Sequence, residues 1–282
     1  MVHSGLLTDK INQIRTDRSN GASQIARNAL DVLKFFVQTT KTSTLKDFTQ
    51  EFKEVGLQLF ESRPNMAPVQ NLVAQAVYEV YALTEVDVVS AKKFALSTID
   101  TLTKQSKTAI KESAAHAALF IEDSACIASC SDSSTVCETL KLAKQQGKRF
   151  KVFVAESKTG TTRYGEVMAH FLKSISIDAT VFPDNQIPNY VSKANCVLVG
   201  ADSLLCDGSV INGLPSYELA VAAKQSNVPF YSVCETTKAN TLIYLGKTVE
   251  LKQGFDCVPA NLVTRIITEN GLLGTQELVE VM

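Results

Sequence analysis

Four short runs in the second half of this 282-residue chain carry side chains suited to anion binding or proton transfer. Ser129-Cys130-Ser131-Asp132-Ser133-Ser134-Thr135 follows an apolar segment and enters a helical pattern. Hydroxyls and open amides at a helix start suit a phosphate, and N-capping by Ser133 or Ser134 accounts for the same residues. Glu156-Ser157-Lys158-Thr159-Gly160-Thr161-Thr162-Arg163 sets Lys158 and Arg163 near a second helix start, which serves anion binding and an ordinary solvated loop equally well. Gly200-Ala201-Asp202 places a carboxylate where a general base or a partner for sugar hydroxyls would act, although Asp is also common in tight turns. Cys234-Glu235-Thr236-Thr237-Lys238 offers an acid and a base, with a surface ion pair as the plain explanation. Cys130 lies beside the phosphate-type loop, where helix amides favour a thiolate. Cys126, Cys196 and Cys234 fall within apolar strand patterns and read as small core residues.

The elements that position these runs follow from periodicity. Apolar segments at 125–128, 151–155, 179–182, 196–199 and 230–233 alternate with helical patterns at 135–146, 163–173, 187–193 and 217–225. Strands separated by helices of that length imply right-handed crossovers and a doubly wound, mainly parallel sheet covered on both faces. Ligands then bind beyond the carboxyl ends of the strands, where all four runs fall. Asp207-Gly208, between Leu204 and Ile211, reads as the two-residue turn of a small hairpin. Before residue 121 the spacing is helical, including 45–60, 67–83 and 86–121, broken at Arg63-Pro64 and Thr84-Glu85. The fold class is therefore α/β: an N-terminal helical domain over 1–121, then a Rossmann-like α/β domain over 122–282.

Composition narrows the function. With 28 basic and 29 acidic residues the chain lacks the basic excess expected of a direct nucleic-acid partner. Seven cysteines without a CxxC pair suit free thiols in a reducing compartment, so a cytoplasmic location is expected. Neither a secretory signal nor a bilayer-spanning run is apparent, so no membrane association is expected. His3, His116 and His170 show no ligand spacing, and the reading assigns no metal, no cofactor and no histidine-based triad.

Taken in order and spacing, further motifs carry a resemblance over nearly the whole chain. They are Asp17-Arg18-Ser19-Asn20-Gly21-Ala22-Ser23, Arg63-Pro64, Ser131-Asp132-Ser133-Ser134-Thr135-Val136, Val154-Ala155-Glu156-Ser157, Gly200-Ala201-Asp202 and Asp207-Gly208-Ser209-Val210-Ile211-Asn212. Pro229-Phe230-Tyr231, Phe255-Asp256-Cys257-Val258-Pro259 and Ile266-Ile267-Thr268-Glu269-Asn270-Gly271 complete the set. The chain resembles the family containing the alpha, beta and delta subunits of translation initiation factor 2B, methylthioribose-1-phosphate isomerase and ribose-1,5-bisphosphate isomerase. The resemblance implies a helical domain joined to a Rossmann-like one, assembly through the latter into a homo-oligomer, and a pocket between the two for a phosphorylated metabolite. It places Gly21, Arg63, Ser131, Ser133, Ser134, Asp202 and Asn212 at that pocket; the loop reading adds Lys158, Arg163 and Lys238 as ligand-binding candidates.

The departures from the family pattern bear on activity. Its isomerases use a Cys in the first-strand loop and the Asp of Gly-Ala-Asp to move protons. Asp202 fits the second role, but aligning Ser133 with the family's loop serine puts Ser131 at the thiol's place; a one-residue shift would return Cys130. The family's Asn-Lys-Ile-Gly-Thr is here Asn212-Gly213-Leu214-Pro215-Ser216, without the lysine, and its Arg-Pro after Glu-Ser is Lys158-Thr159, with Arg163 as a compensating cation. The expectation is a regulatory subunit of the initiation factor 2B alpha type that binds a phosphorylated sugar or nucleotide between its domains and translation initiation factor subunits on its surface. The alternative is an aldose-ketose isomerase acting on ribose 1,5-bisphosphate or a related 1-phosphate, with Cys130 and Asp202 as its catalytic pair.

Overall fold

A computed structural model describes residues 2–242 and 249–273. Two units form, residues 1–107 and 108–282, and the division falls inside the fifth helix. The first unit is built from α1 (Val2–Thr16), α2 (Ala22–Thr39), α3 (Leu45–Phe60), α4 (Ala67–Tyr81) and the first part of α5 (Val88–Leu119). Apolar residues at three- and four-residue spacing make one face of each helix a core face. In α2, Ile25, Ala29, Leu30, Leu33, Phe36 and Val37 are all buried. Thr44 starts α3 by accepting the Asp47 N–H at 3.1 Å, and Pro68 sits in the first turn of α4, where its missing N–H costs nothing. Phe36, Phe48 and Phe52 meet with centroids 6.0–6.3 Å apart. Truncating a fully buried ring such as Phe52 to Ala costs about 3–5 kcal/mol.

The second unit holds a seven-stranded sheet in the order β12-β11-β9-β6-β1-β2-β5. Its strands are β1 (Ala125–Ser129), β2 (Phe150–Ala155), β5 (Asp178–Phe182), β6 (Cys196–Val199), β9 (Phe230–Val233), β11 (Arg265–Thr268) and β12 (Gly271–Leu273). Every pairing is parallel except β11 with β12. Helices α6 (Ser134–Gln145), α7 (Tyr164–Ser174), α8 (Ile187–Val191) and α9 (Ser216–Gln225) connect the strands. The two-residue period of the strands divides the core between the faces. Cys196 and Leu198 of β6 join Val136, Leu140, Met168 and Leu172; Val197 and Val199 join Phe182, Val191, Leu219 and Phe230.

Strand order reverses between β1 and β6, because the chain winds outward through β2 and β5 and then returns to the other side of β1. At such a switch point the loops leaving the two strands diverge and open a crevice. A short sheet, β10 (Phe255–Val258), β8 (Val210–Gly213) and β7 (Ser203–Leu204), continues from the loop after β6, and the two-residue pair β3 (Lys158–Thr159) and β4 (Thr162–Arg163) follows β2. The β7–β8 hairpin departs from the expected two-residue turn. Leu205 N–H donates to Ser209 C=O at 2.9 Å across three residues, and only Gly208 has a positive φ, +83°. Asp207 instead bends the turn by accepting Ser209 N–H and Oγ–H, both at 2.9 Å. Among the described residues no helix is long and apolar enough to cross a membrane.

Candidate functional site

The switch point brings together the loops after β1, β6 and β9 and the β8–α9 junction. Beyond β1, Ser133 caps α6 by accepting the Val136 N–H at 3.3 Å, so the capping role falls to Ser133; Ser134 is the first helical residue and is exposed. Two serines of this loop rest on two glycines across the crevice. A Cβ at Gly200, just past β6, would lie 2.4 Å from Ser133 Oγ and 3.8 Å from Asn212 Oδ1; one at Gly213, the end of β8, would lie 2.7 Å from Ser131 Oγ. Ser131 occupies the left-handed region (φ +62°) and donates its N–H to Ser157 Oγ at 2.7 Å, joining the loop after β1 to the loop after β2. The two departures from the family pattern, Ser131 and Gly213, are therefore in direct contact: the serine fills the space into which a side chain at 213 would grow.

Cys130 is sealed beneath them. Its Sγ lies 3.3 Å from Ser216 Oγ, which also donates to Gly213 C=O at 2.6 Å and accepts from Asn212 Nδ2 at 2.9 Å. Ser216 has one hydroxyl proton, and the Gly213 carbonyl takes it, so the thiol is the donor to Ser216. Burial pushes the Cys130 thiol up to about 12, with the charges of Asp256, Asp184 and Glu218 acting in the same direction. This overturns the expectation of a favoured thiolate. Desolvation outweighs the helix amides, and the thiol stays protonated at neutral pH. Asp202 sits half-buried at the mouth of β6 with its N–H on Ile211 C=O at 2.7 Å. Asp132, which the sequence reading did not single out, has its carboxyl raised by burial.

The loop after β9 is different in kind. Glu235 is 0 % exposed and Lys238 4 %, so the surface ion pair expected here is absent. Glu235 Oε2 accepts from Thr135 Oγ1 of α6 at 3.4 Å, while its Oε1 and Asn240 Nδ2 are buried without hydrogen-bond partners. No carboxylate of the described residues pairs with the Lys238 ammonium. Asn240 N–H donates to Leu204 C=O at 2.8 Å, which sets this loop beside the β7–β8 hairpin. Buried charge and unpartnered polar atoms are costly unless a ligand or counter-ion meets them.

The remaining candidates have other partners. Arg163 is half-exposed and binds Glu156 at 3.0 Å and Glu166 at 3.1 Å, so its charge is engaged within its own loop and helix. Lys158 is exposed, and its N–H, like that of Ser157, is held by Asp184. In the N-terminal unit, buried Arg63 donates Nε to Ile14 C=O at 2.8 Å and a terminal nitrogen to Asp17 C=O, closing the end of α1. Gly21 precedes α2 with an ordinary φ of −73°, its carbonyl accepting from Gln24 and Ile25 N–H, both at 3.0 Å.

Residues 18–254 match the Initiation factor 2 subunit family. The chain belongs to that family. Among its relatives, a ribose 1,5-bisphosphate isomerase of Methanocaldococcus jannaschii is 25% identical over 98% of this chain and 94% of its own. A putative translation initiation factor eIF-2B subunit 2-like protein of Pyrococcus furiosus is 30% identical over 93% of this chain and 94% of its own. The solved structure of a translation initiation factor eIF-2B from Pyrococcus horikoshii OT3 superposes with a TM-score of 0.82 at 25% identity, covering 95% of this chain and 96% of that one. The α/β division into helices followed by a largely parallel sheet is thus the family fold, and the family holds both isomerase-named and initiation-factor-named members.

Proposed function

We propose that this chain is a regulatory subunit of the translation initiation factor 2B alpha type, which binds a phosphorylated sugar or nucleotide without converting it. The observation that carries this reading is the state of Cys130: wholly buried, its proton committed to Ser216, and its thiol raised to about 12. By the enediol route an aldose–ketose interconversion takes a proton from one carbon and returns it to the next, and the acid or base doing so has to exchange protons near neutral pH. Ser131, which faces Gly213 in place of a thiol, cannot do this unaided because a hydroxyl ionises far above that range. What the site retains suits binding: Lys238 as the buried cation, Asn212 and the Ser131–Ser134 loop as donors, and Asp202 as an acceptor for sugar hydroxyls. Arg63 and Gly21 are kept as ligand-binding candidates on the strength of the family resemblance, which also suggests homo-oligomer formation and a surface for initiation factor subunits.

Titration calorimetry with ribose 1,5-bisphosphate, ribose 5-phosphate and a nucleoside monophosphate tests the binding claim, and NMR of the same mixtures tests the absence of turnover. Binding without a ketose product is expected; absence of binding to all three, together with no copurifying initiation factor, would reject the reading. The second reading, a ribose-1,5-bisphosphate isomerase-like enzyme, is favoured by Asp202 at the mouth of β6 and by near full-length similarity to proteins of that name. Ketose formation that is lost in both Cys130→Ser and Asp202→Asn would establish it.

A further inference from the structure

The segment Ile266-Ile267-Thr268-Glu269-Asn270-Gly271 contributes nothing to the site just described, yet its one acidic side chain is bonded to the turn that carries Lys238. From the β11–β12 turn, the Glu269 carboxylate accepts Thr236 N–H with both oxygens, at 3.1 and 3.0 Å, and Thr236 Oγ–H at 2.5 Å. Thr236 opens the 3-10 turn Thr236–Lys238. Ser113 of α5, wholly buried, holds the same arrangement from behind, its Oγ lying 3.3 Å from Glu269 Oε2 and 3.2 Å from Cys234 C=O. His116 Nδ1, one turn further along α5, lies 2.7 Å from Thr268 C=O and fixes the strand end from which Glu269 projects.

We infer that Glu269 is a positioning residue for Lys238: it clamps the first residue of the turn so that the ammonium two residues later is held at the switch point. The inference rests on the reading that Lys238 meets a phosphate. Charge-assisted bonds to a carboxylate are short and directional, and the opposite end of the turn is held by Asn240 N–H on Leu204 C=O. Glu269 is thus the side chain whose removal frees the turn without deleting a proposed ligand contact. The sign of the effect separates positioning from simple electrostatics. A carboxylate repels a phosphate, so acting through space its loss would tighten binding; acting through Lys238, its loss weakens it.

The test uses the full chain, with acetylation of Lys238 by an acetylating ester, mapped by mass spectrometry, and ribose 1,5-bisphosphate affinity by calorimetry. Lys238 is expected to be protected in the wild type, to acetylate about 10-fold faster in Glu269→Ala and to bind about 10-fold more weakly there, with Glu269→Gln, which keeps an acceptor for Thr236 N–H, within about threefold on both readouts. In a Lys238→Met background, Glu269→Ala should change affinity by less than about twofold. Thr236→Val, which removes one arm and keeps the N–H bonds, provides a milder variant should Glu269→Ala unfold. Unchanged acetylation in Glu269→Ala, equal losses in the Ala and Gln variants, or full additivity with Lys238→Met would each overturn the inference. If the wild type fails to bind the bisphosphate while the acetylation pattern holds, the ligand reading falls and the positioning stands.

Discussion

The loops after β1 and after β9 reach the same sheet edge in opposite conditions. Around Cys130 the hydrogen bonds are made within the site: the thiol on Ser216, Asn212 on Ser216 and Ser131 N–H on Ser157, with two serines packed against glycines. Around Lys238, itself only 4 % exposed, the balance is left open, with a Glu235 carboxylate oxygen and the Asn240 amide nitrogen buried without partners. The closed side is where proton chemistry would occur, and the open side is where charge would be recognised. That contrast, a reactive group held within the fold beside recognition groups left unsatisfied, is what the proposed binding role rests on.

The largest effect expected from this contrast is alkaline sensitivity. Burial raises the thiols of Cys130, Cys137 and Cys196 to about 12 and pushes Cys234 up further. In the unfolded chain these thiols ionise near 9, so between about pH 9 and 12 the unfolded state binds fewer protons than the folded one. Stability is then fully present below pH 9 and falls as pH rises through that window, by about 1.4 kcal/mol per pH unit for each thiol. Urea unfolding at pH 8, 9 and 10 under reducing conditions measures the slope. Cys130→Ala should reduce the loss between pH 9 and 10 by about 1 kcal/mol, and an unchanged loss would mean that the Cys130 side is not sealed.

Next come the glycine seats. Gly200→Ala drives a Cβ to 2.4 Å from Ser133 Oγ and 2.9 Å from Ser133 Cβ, an overpacking expected to cost about 3 kcal/mol in denaturant unfolding. Gly213→Ala meets the Ser131 hydroxyl at 2.7 Å and its Cβ at 3.3 Å, and should cost about 1 kcal/mol. Because Ser131 is itself at a positive φ, Ser131→Gly removes the clash and relieves the backbone together, so the double variant should recover that loss. Failure of this rescue would separate the two departures that the structure brings into contact.

Much of this architecture was legible in the chain, and the part that was not has identifiable causes. β1, β6 and β9 are largely apolar runs because helices cover both of their faces, and such runs stand out. β11 and β12 escaped because they flank a turn of Thr, Glu, Asn and Gly near the sheet edge, and β3 and β4 because two-residue strands carry no period. At the site, the hydroxylated loop and Asp202 were legible from their place after strands. Glu235 and Lys238 were read as a solvated pair because charge in sequence signals exposure by default; their burial depends on α6 and the β7–β8 hairpin, elements distant in the chain. The same remoteness hid Glu269, whose partners are Ser113 and Thr236.

Charge recognition should be concentrated on one cation. Lys238→Met is expected to weaken ribose 1,5-bisphosphate binding by about 10- to 100-fold, the worth of a charge-assisted hydrogen bond. Arg163→Ala should leave it within about twofold, because its guanidinium already faces Glu156 and Glu166 and exposed pairs contribute little. Calorimetry on both variants decides it: equal losses would move the recognition surface out to the β3–β4 pair and dissolve the contrast between the two loops.

The smallest effect divides neighbouring serines. Ser133 accepts from Val136 N–H through a rather long 3.3 Å bond, so Ser133→Ala should lower stability by about 1 kcal/mol, as loss of an N-cap does. Since that bond uses the oxygen as acceptor, the hydroxyl proton remains for a bound phosphate, and the same variant should weaken bisphosphate binding by about threefold. Ser134 is exposed on the first turn of α6, and Ser134→Ala should leave stability within about 0.5 kcal/mol. Urea unfolding paired with calorimetry on the two variants distinguishes them. A Ser133→Ala protein that loses stability but keeps full affinity would make the loop after β1 a helix cap alone and shift the whole of ligand recognition to the side of Lys238.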